Sequence, residues 1–171
     1  MHFTNTHKTP YYLVGGGGCS GDPFSITDVN GKILPSTDGA CGLTCAALQT
    51  SSCVCAADCA LAPIVFIAPG GTLNVPWQGS TFTETTMPAG CFSDAACATT
   101  CLVEGAPTGK LTFSASLWTS VQGCDPAQCM CEPDAAGSCP INGPAMVAGM
   151  ELKVTAPFAA GTDTSVDIDF G

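Results

Sequence analysis

Apolar and polar positions alternate with a period of two along most of the chain, and no long stretch repeats at the 3.6-residue period of a helix. Between Lys110 and Val121, Leu111, Phe113, Ala115 and Leu117 fall on one face and polar residues on the other, the signature of a half-buried strand. Thr72 to Trp77 sets Leu73, Val75 and Trp77 on one side, and Thr164 to Phe170 alternates Val166, Ile168 and Phe170 with Asp167 and Asp169. Met150 to Pro157 reads as a further strand, Ile64 to Ala68 as a fully apolar one, and Thr81 to Thr86 as a Thr-rich strand with Phe82 inward. Phe24 to Leu34 holds two short runs around Asn30-Gly31, a hairpin signal because both residues tolerate positive φ. Turns are predicted at Pro69-Gly70-Gly71, Gln78-Gly79, Asp125-Pro126 and Asp134 to Gly137. Seven or eight short strands joined by turns predict an all-β fold, specifically an immunoglobulin-like β-sandwich. Three long disulfide-stapled loops, around 38–62, 91–101 and 124–139, are expected to contain short helical turns. Trp77 and Trp118 are expected in the core, the alternative being a tryptophan exposed in a binding patch.

The first segment looks different. Met1 to Val14 has no apolar core of the kind a secretory signal needs, and Gly15 to Gly18 follow as a flexible tract. Residues 1–20 are therefore expected to be a flexible leader and linker, and 21–171 a single cysteine-rich domain. No stretch approaches the ~20 apolar residues of a membrane span.

Charge then removes whole classes of partner. Charged residues make up 11% of the chain, against roughly 25% in an ordinary globular protein. There is no arginine, and Lys8, Lys32, Lys110 and Lys153 oppose 14 acidic residues for a net charge of −10. Nucleic acid and anionic membrane surfaces need clustered Lys and Arg, and neither is provided for here.

Thirteen cysteines in 171 residues point to an oxidising, extracytoplasmic location, secreted or at a cell surface. Cys19, after the glycines, stands apart as a free thiol or a lipid-anchor cysteine. The remaining twelve form three groups: Cys41, Cys45, Cys53, Cys55 and Cys59; Cys91, Cys97 and Cys101; Cys124, Cys129, Cys131 and Cys139. Two groups are odd in number, so complete pairing requires at least one bond to leave each of them. Cys53 and Cys55, like Cys129 and Cys131, are too close in sequence to bond each other without strain, so each is expected to take a different partner. Thiolate metal binding is the competing reading. No Cys-x-x-Cys occurs and no histidine follows His7, so disulfides are preferred.

The same inventory limits catalysis. From Cys19 onward there is no His, Arg or Tyr, which removes histidine-based general bases and nucleophile dyads. His2 and His7 lie in the supposed leader. A carboxylate pair such as Asp167 and Asp169 is the remaining route to an enzyme, although their alternation with apolar residues reads as a solvated strand face. No cofactor is expected. Ca²⁺ is a minor alternative, because Asp22, Asp28, Asp38, Asp94, Asp125 and Asp134 fall in or near turns, without EF-hand spacing.

Three pieces carry a resemblance: Ile26 to Gly31 (ITDVNG), Ala68 to Gly79 (APGGTLNVPWQG) and Pro107 to Phe113 (PTGKLTF). On these, the chain resembles uncharacterised cysteine-rich secreted proteins and predicted bacterial lipoproteins with an Ig-like sandwich. The resemblance implies an envelope location and supplies no catalytic residues. The expected function is a non-catalytic binding module for an unknown protein or surface ligand. A self-associating structural protein of the envelope is the alternative, and a carboxylate enzyme the third. Six disulfides and one free thiol predict an intact mass about 12 Da below that of the reduced chain. Non-reducing mass spectrometry with alkylation should find one labelled cysteine, and several labelled thiols or a retained metal would overturn the oxidised scaffold.

Overall fold

The strand bearing Leu111, Phe113, Ala115 and Leu117 organises the protein. A computed structural model describes residues 1–16, 22–37, 43–50, 62–94, 97, 100–125, 129–141 and 143–171. In chain order the elements are β1 (His2–Asn5), β2 (Tyr11–Val14), β3 (Phe24–Thr27), β4 (Ile33–Leu34), α1 (Cys45–Leu48), β5 (Ile64–Ile67) and β6 (Thr72–Asn74). Then follow β7 (Thr81–Thr86), β8 (Thr100–Gly105), β9 (Gly109–Gln122), β10 (Ser138–Ile141), β11 (Met146–Ala160) and β12 (Asp167–Phe170).

β9 pairs antiparallel with β11 along its length, with an irregularity between Ala148 and Glu151. Its other edge is shared. β3 takes Thr112 to Ala115, and β2 takes Leu117 and Trp118. β5 and then β10 extend the sheet beyond β2, and β4 extends it beyond β3. A second sheet sets β1 between β12, parallel, and β6, antiparallel. β7 and β8 form a separate antiparallel ladder.

The period-two patterns explain how the two larger sheets face each other. Leu111, Phe113, Ala115 and Leu117 of β9 are buried with Val154, Ala156 and Phe158 of β11 and Ile168 and Phe170 of β12. Phe3 packs edge-on against Phe113 with ring centroids 5.8 Å apart. Tyr11 meets Phe170, and Trp77 meets Phe158, each at 5.5 Å. The fold is all-β: two open sheets on one apolar core. Trp77 borders that core, and its indole N–H donates to the Ser80 carbonyl at 2.9 Å.

The expectation of a flexible leader is corrected over residues 1–16. His2–Asn5 and Tyr11–Val14 are strands, and Phe3, Tyr11 and Leu13 are core residues. The physical reason is edge completion: β1 fills the middle of one sheet and β2 bridges β5 and β9 in the other. Gly18 and Cys19 lie outside the described residues.

Asn5 locks this segment in place. Its side chain is fully buried, and Nδ2 donates to the carbonyls of Thr9, Ile67 and Ala68 at 3.0, 3.1 and 3.0 Å. Its Oδ1 accepts from the His7 N–H at 3.0 Å, and its backbone pairs with Gly70 and Gly71. Two turns read separately in the sequence meet close by. The Gly137 carbonyl accepts from Ala68 N, and a side chain at Gly71 would come within 2.6 Å of that oxygen.

The Asn30-Gly31 hairpin forms as β3 and β4, with one difference. Gly31 alone takes the left-handed conformation, at φ 77°, and Asn30 does not. The Asp28 carboxylate closes the longer loop by accepting from the N–H groups of Asn30 and Lys32 at 2.8 and 2.9 Å. The Lys32 N–H is the main reason this carboxyl is held below the ordinary range. Slight desolvation opposes the effect, while the Asn30 contacts and the Lys32 charge add to it.

Among the described residues, the cysteines form bridges Cys45–Cys101, Cys124–Cys129 and Cys131–Cys139, and Cys97 is also disulfide-bonded. Among the described bridges, Cys45–Cys101 leaves both odd groups, and Cys129 and Cys131 take separate partners. It ties α1, a single turn capped by Thr44, to β8. Leu48, Cys97 and Cys101 are buried there as a second, small core. The second loop group contains a 3₁₀ turn at Ala89–Cys91, and Cys101 lies on a strand. Cys91, expected in a bridge, is corrected to a free thiol: it is exposed, outside the small core that holds Cys97 and Cys101. Cys41, Cys53, Cys55 and Cys59 lie outside the described residues.

Replacing Asn5 with Ala removes its hydrogen bonds to one buried carbonyl, that of Ile67, and to the part-buried Thr9 and Ala68 carbonyls and His7 N–H. The expected cost is about 1–3 kcal/mol, the scale of one unsatisfied buried group, and Asn5→Asp should be worse. Urea unfolding checks both, and a change within error would remove Asn5 from its structural role. The lowered Asp28 pKa adds stability above its unfolded value, which is lost as pH falls through the folded one. Carboxyl NMR titration should place the Asp28 midpoint below that of an ordinary aspartate, with the Asn30 and Lys32 amides moving in step. A normal midpoint would refute the closure.

Candidate binding site on the outer sheet face

Alternation that sends Leu111, Phe113, Ala115 and Leu117 inward sends Ser114, Ser116 and Trp118 to the opposite face of the seven-stranded sheet. The strand register aligns these with outward residues of neighbouring strands. Ser25, Ser114 and Thr155 form one row across β3, β9 and β11. Ser116 stands beside Lys153 in the next. Phe66, Tyr12 and Trp118 form a third across β5, β2 and β9, ending at Glu151 on β11. All three aromatic side chains are partly exposed. Tyr12 and Phe66 meet edge-on at 5.5 Å, and burial raises the Tyr12 pKa above its ordinary value.

A hollow of about 410 Å³ opens where these rows meet. Its origin is topological. β2 and β3 share one edge of β9 and leave a gap between them opposite Ser116. Val14 and Gly15 leave the gap on one side, and Asp22 and Pro23 enter it on the other. Ser25, Ser114, Ser116, Trp118, Lys153 and Thr155 line the hollow. Ser116 Oγ donates to Glu151 Oε1 at 2.6 Å. The site therefore presents hydroxyls, one ammonium, the carboxylates of Asp22 and Glu151 and one indole, groups that can donate hydrogen bonds to, and accept them from, a polar molecule.

The other sequence candidates are dispersed. Asp167 and Asp169 are exposed on β12, alternating with buried Val166, Ile168 and Phe170. Asp28 closes its hairpin, and Asp134 accepts from the N–H groups of Ala136 and Ser138 at 2.9 and 3.2 Å. Among the potential Ca²⁺ ligands only Asp22 lines the hollow, and Asp38 lies outside the described residues. Among the described residues, no three His, Cys, Asp or Glu groups gather as a metal site. His2 Nδ1 contacts Asn74 Oδ1 at 2.7 Å, and His7 lies against Tyr11. Trp118 lies outside the apolar core; it is half-buried and lines the hollow. Tyr12 and Phe66 were missed as partners of Trp118. Their signal is adjacency across strands, and it emerges only once β2 and β5 are placed in register.

β11 has one free edge among the described residues. Three features blunt it: the irregularity at Gly149, the charge of Lys153, and Pro157, which has no N–H to offer a neighbour. No described helix is long and apolar enough to cross a membrane. Comparisons with protein-family models, curated proteins and solved structures give no match to the chain.

Proposed function

We propose that this protein is a non-catalytic, extracytoplasmic binding module, a sandwich of the Ig-like kind that recognises a polar ligand through the outer face of its larger sheet. The hollow at the β2–β3 gap carries the reading, because Ser25, Ser114, Ser116, Trp118, Lys153 and Thr155 converge there on a rigid scaffold. Disulfides at Cys45–Cys101, Cys124–Cys129 and Cys131–Cys139 fit an oxidising environment. Secretion or a surface location is what the family resemblance implies; anchoring through Cys19 with loss of the residues before it is disfavoured, because β1 and β2 lie there. Self-assembly through sheet edges is the weaker reading, given the blunted edge of β11.

The test is an NMR screen of the ¹⁵N-labelled protein against small alcohols, amides, amino acids and short peptides. Compounds that bind should perturb the Trp118 indole and the Ser114 and Ser116 amides together. A screen in which no compound perturbs this face, or in which the shifts gather elsewhere, would overturn the proposal.

A further inference from the structure

We infer that the ligand of this face is an uncharged oligosaccharide chain, seated with its sugar rings against Trp118 and its hydroxyls toward the serine rows. The inference rests on the binding-face reading above and names the ligand class for the same site.

A sugar ring asks two things of a protein at once. Its C–H face needs an aromatic surface, and its rim of hydroxyls needs donors and acceptors close beside that surface. Both are present on this face of the sheet, Trp118 in the hollow and Tyr12 and Phe66 beside it. Phe66, Tyr12 and Trp118 stand side by side on adjacent strands, a span of about 10 Å at the usual strand spacing. Ser116 and then Ser114 follow from Trp118 along β9, over roughly 13 Å of strand. The combined surface suits a short chain of rings better than a single one. Ser and Thr hydroxyls both donate and accept, matching the dual character of sugar hydroxyls. The Lys153 ammonium and the Asp22 carboxylate supply one strong donor and one strong acceptor.

Charge and topology disfavour the alternatives. A net charge of −10 opposes polyanionic ligands, and the lone Lys153 in the hollow is offset by Asp22. An extended peptide would add to an unpaired strand edge. The hollow instead lies in the body of the sheet, where β9 is flanked by β11 on one side and by β2 and β3 on the other. A purely apolar ligand would strand the hydroxyls of Ser25, Ser114 and Thr155.

The experiment is native affinity electrophoresis of the intact, oxidised protein in gels containing hydroxyethylcellulose, laminarin or galactomannan, with polygalacturonate as the charged comparison. At least one neutral polysaccharide should retard the protein. Trp118→Ala should weaken that retardation about tenfold or more, the scale of a lost aromatic contact, and Ser114→Ala should weaken it less. Thermal unfolding shows whether each variant keeps the fold, and Trp118→Phe with Ser114→Leu serve if Trp118→Ala does not. Retardation by polygalacturonate alone, retardation indifferent to these variants, or none in any neutral gel would overturn the inference. If small compounds still perturb Trp118 and Ser114 by NMR, the binding face stands and only the sugar assignment falls. If neither experiment responds, both fall.

Discussion

At Asn5 a side-chain amide joins the two sheets. Its main chain belongs to β1, and its buried amide holds the carbonyls of Ile67 and Ala68 where β5 ends. A buried amide with every polar atom satisfied tolerates little displacement, because any shift strands a carbonyl or an N–H in a place water does not reach. This contact fixes where β1 lies, and β1 in turn fixes Phe3 against Phe113. From Phe113 the register of β9 spreads to β11, β3 and β2. The hollow inherits its shape from that register, since it exists only because β2 and β3 stop on either side of Ser116.

The protein separates two means of stabilisation. The sandwich core is built from aliphatic and aromatic side chains and contains no cysteine among its buried members. The described bridges lie outside that core: around α1 and β8, and in the stretch between β9 and the end of β10. Cross-links limit the freedom of the unfolded chain where a small cluster such as Leu48, Cys97 and Cys101 buries little surface. Cys124–Cys129 and Cys131–Cys139 close loops of only 5 and 8 residues in separation, so they stiffen local turns, whereas Cys45–Cys101 joins parts of the chain 56 residues apart.

Period-two reading recovered strands whose apolar and polar residues alternate, and with them the inward faces of β9 and β12; it passed over β8 and β10, which begin inside the cysteine loops. It recovered the hairpin at Gly31 and the turns that meet at Gly71 and Gly137. It failed at β1 and β2, because His2–Asn5 holds one strongly apolar residue and Tyr11–Val14 has no polar position to alternate with, and what makes Phe3 and Tyr11 core residues is the sheet that arrives later in the chain. The candidate site was hidden for a related reason. On β9, Ser114 and Ser116 are the positions alternation assigns to solvent, and only cross-strand register gathers them with Thr155, Lys153 and Trp118. Asn30 shows a finer limit: the dipeptide announced a turn, but the Asp28 carboxylate selected a longer loop in which glycine alone is left-handed.

The placement of β1 between β6 and β12 has a consequence for the order in which the chain can be completed. Residues 2–5 find one partner near position 73 and the other only at 167–170. Until β12 is made, β1 can pair on one side only, which leaves Phe3 and Tyr11 without the cover of Ile168 and Phe170. Contacts of such long range make for slow closure, so the sandwich is sealed by its most distant pairing.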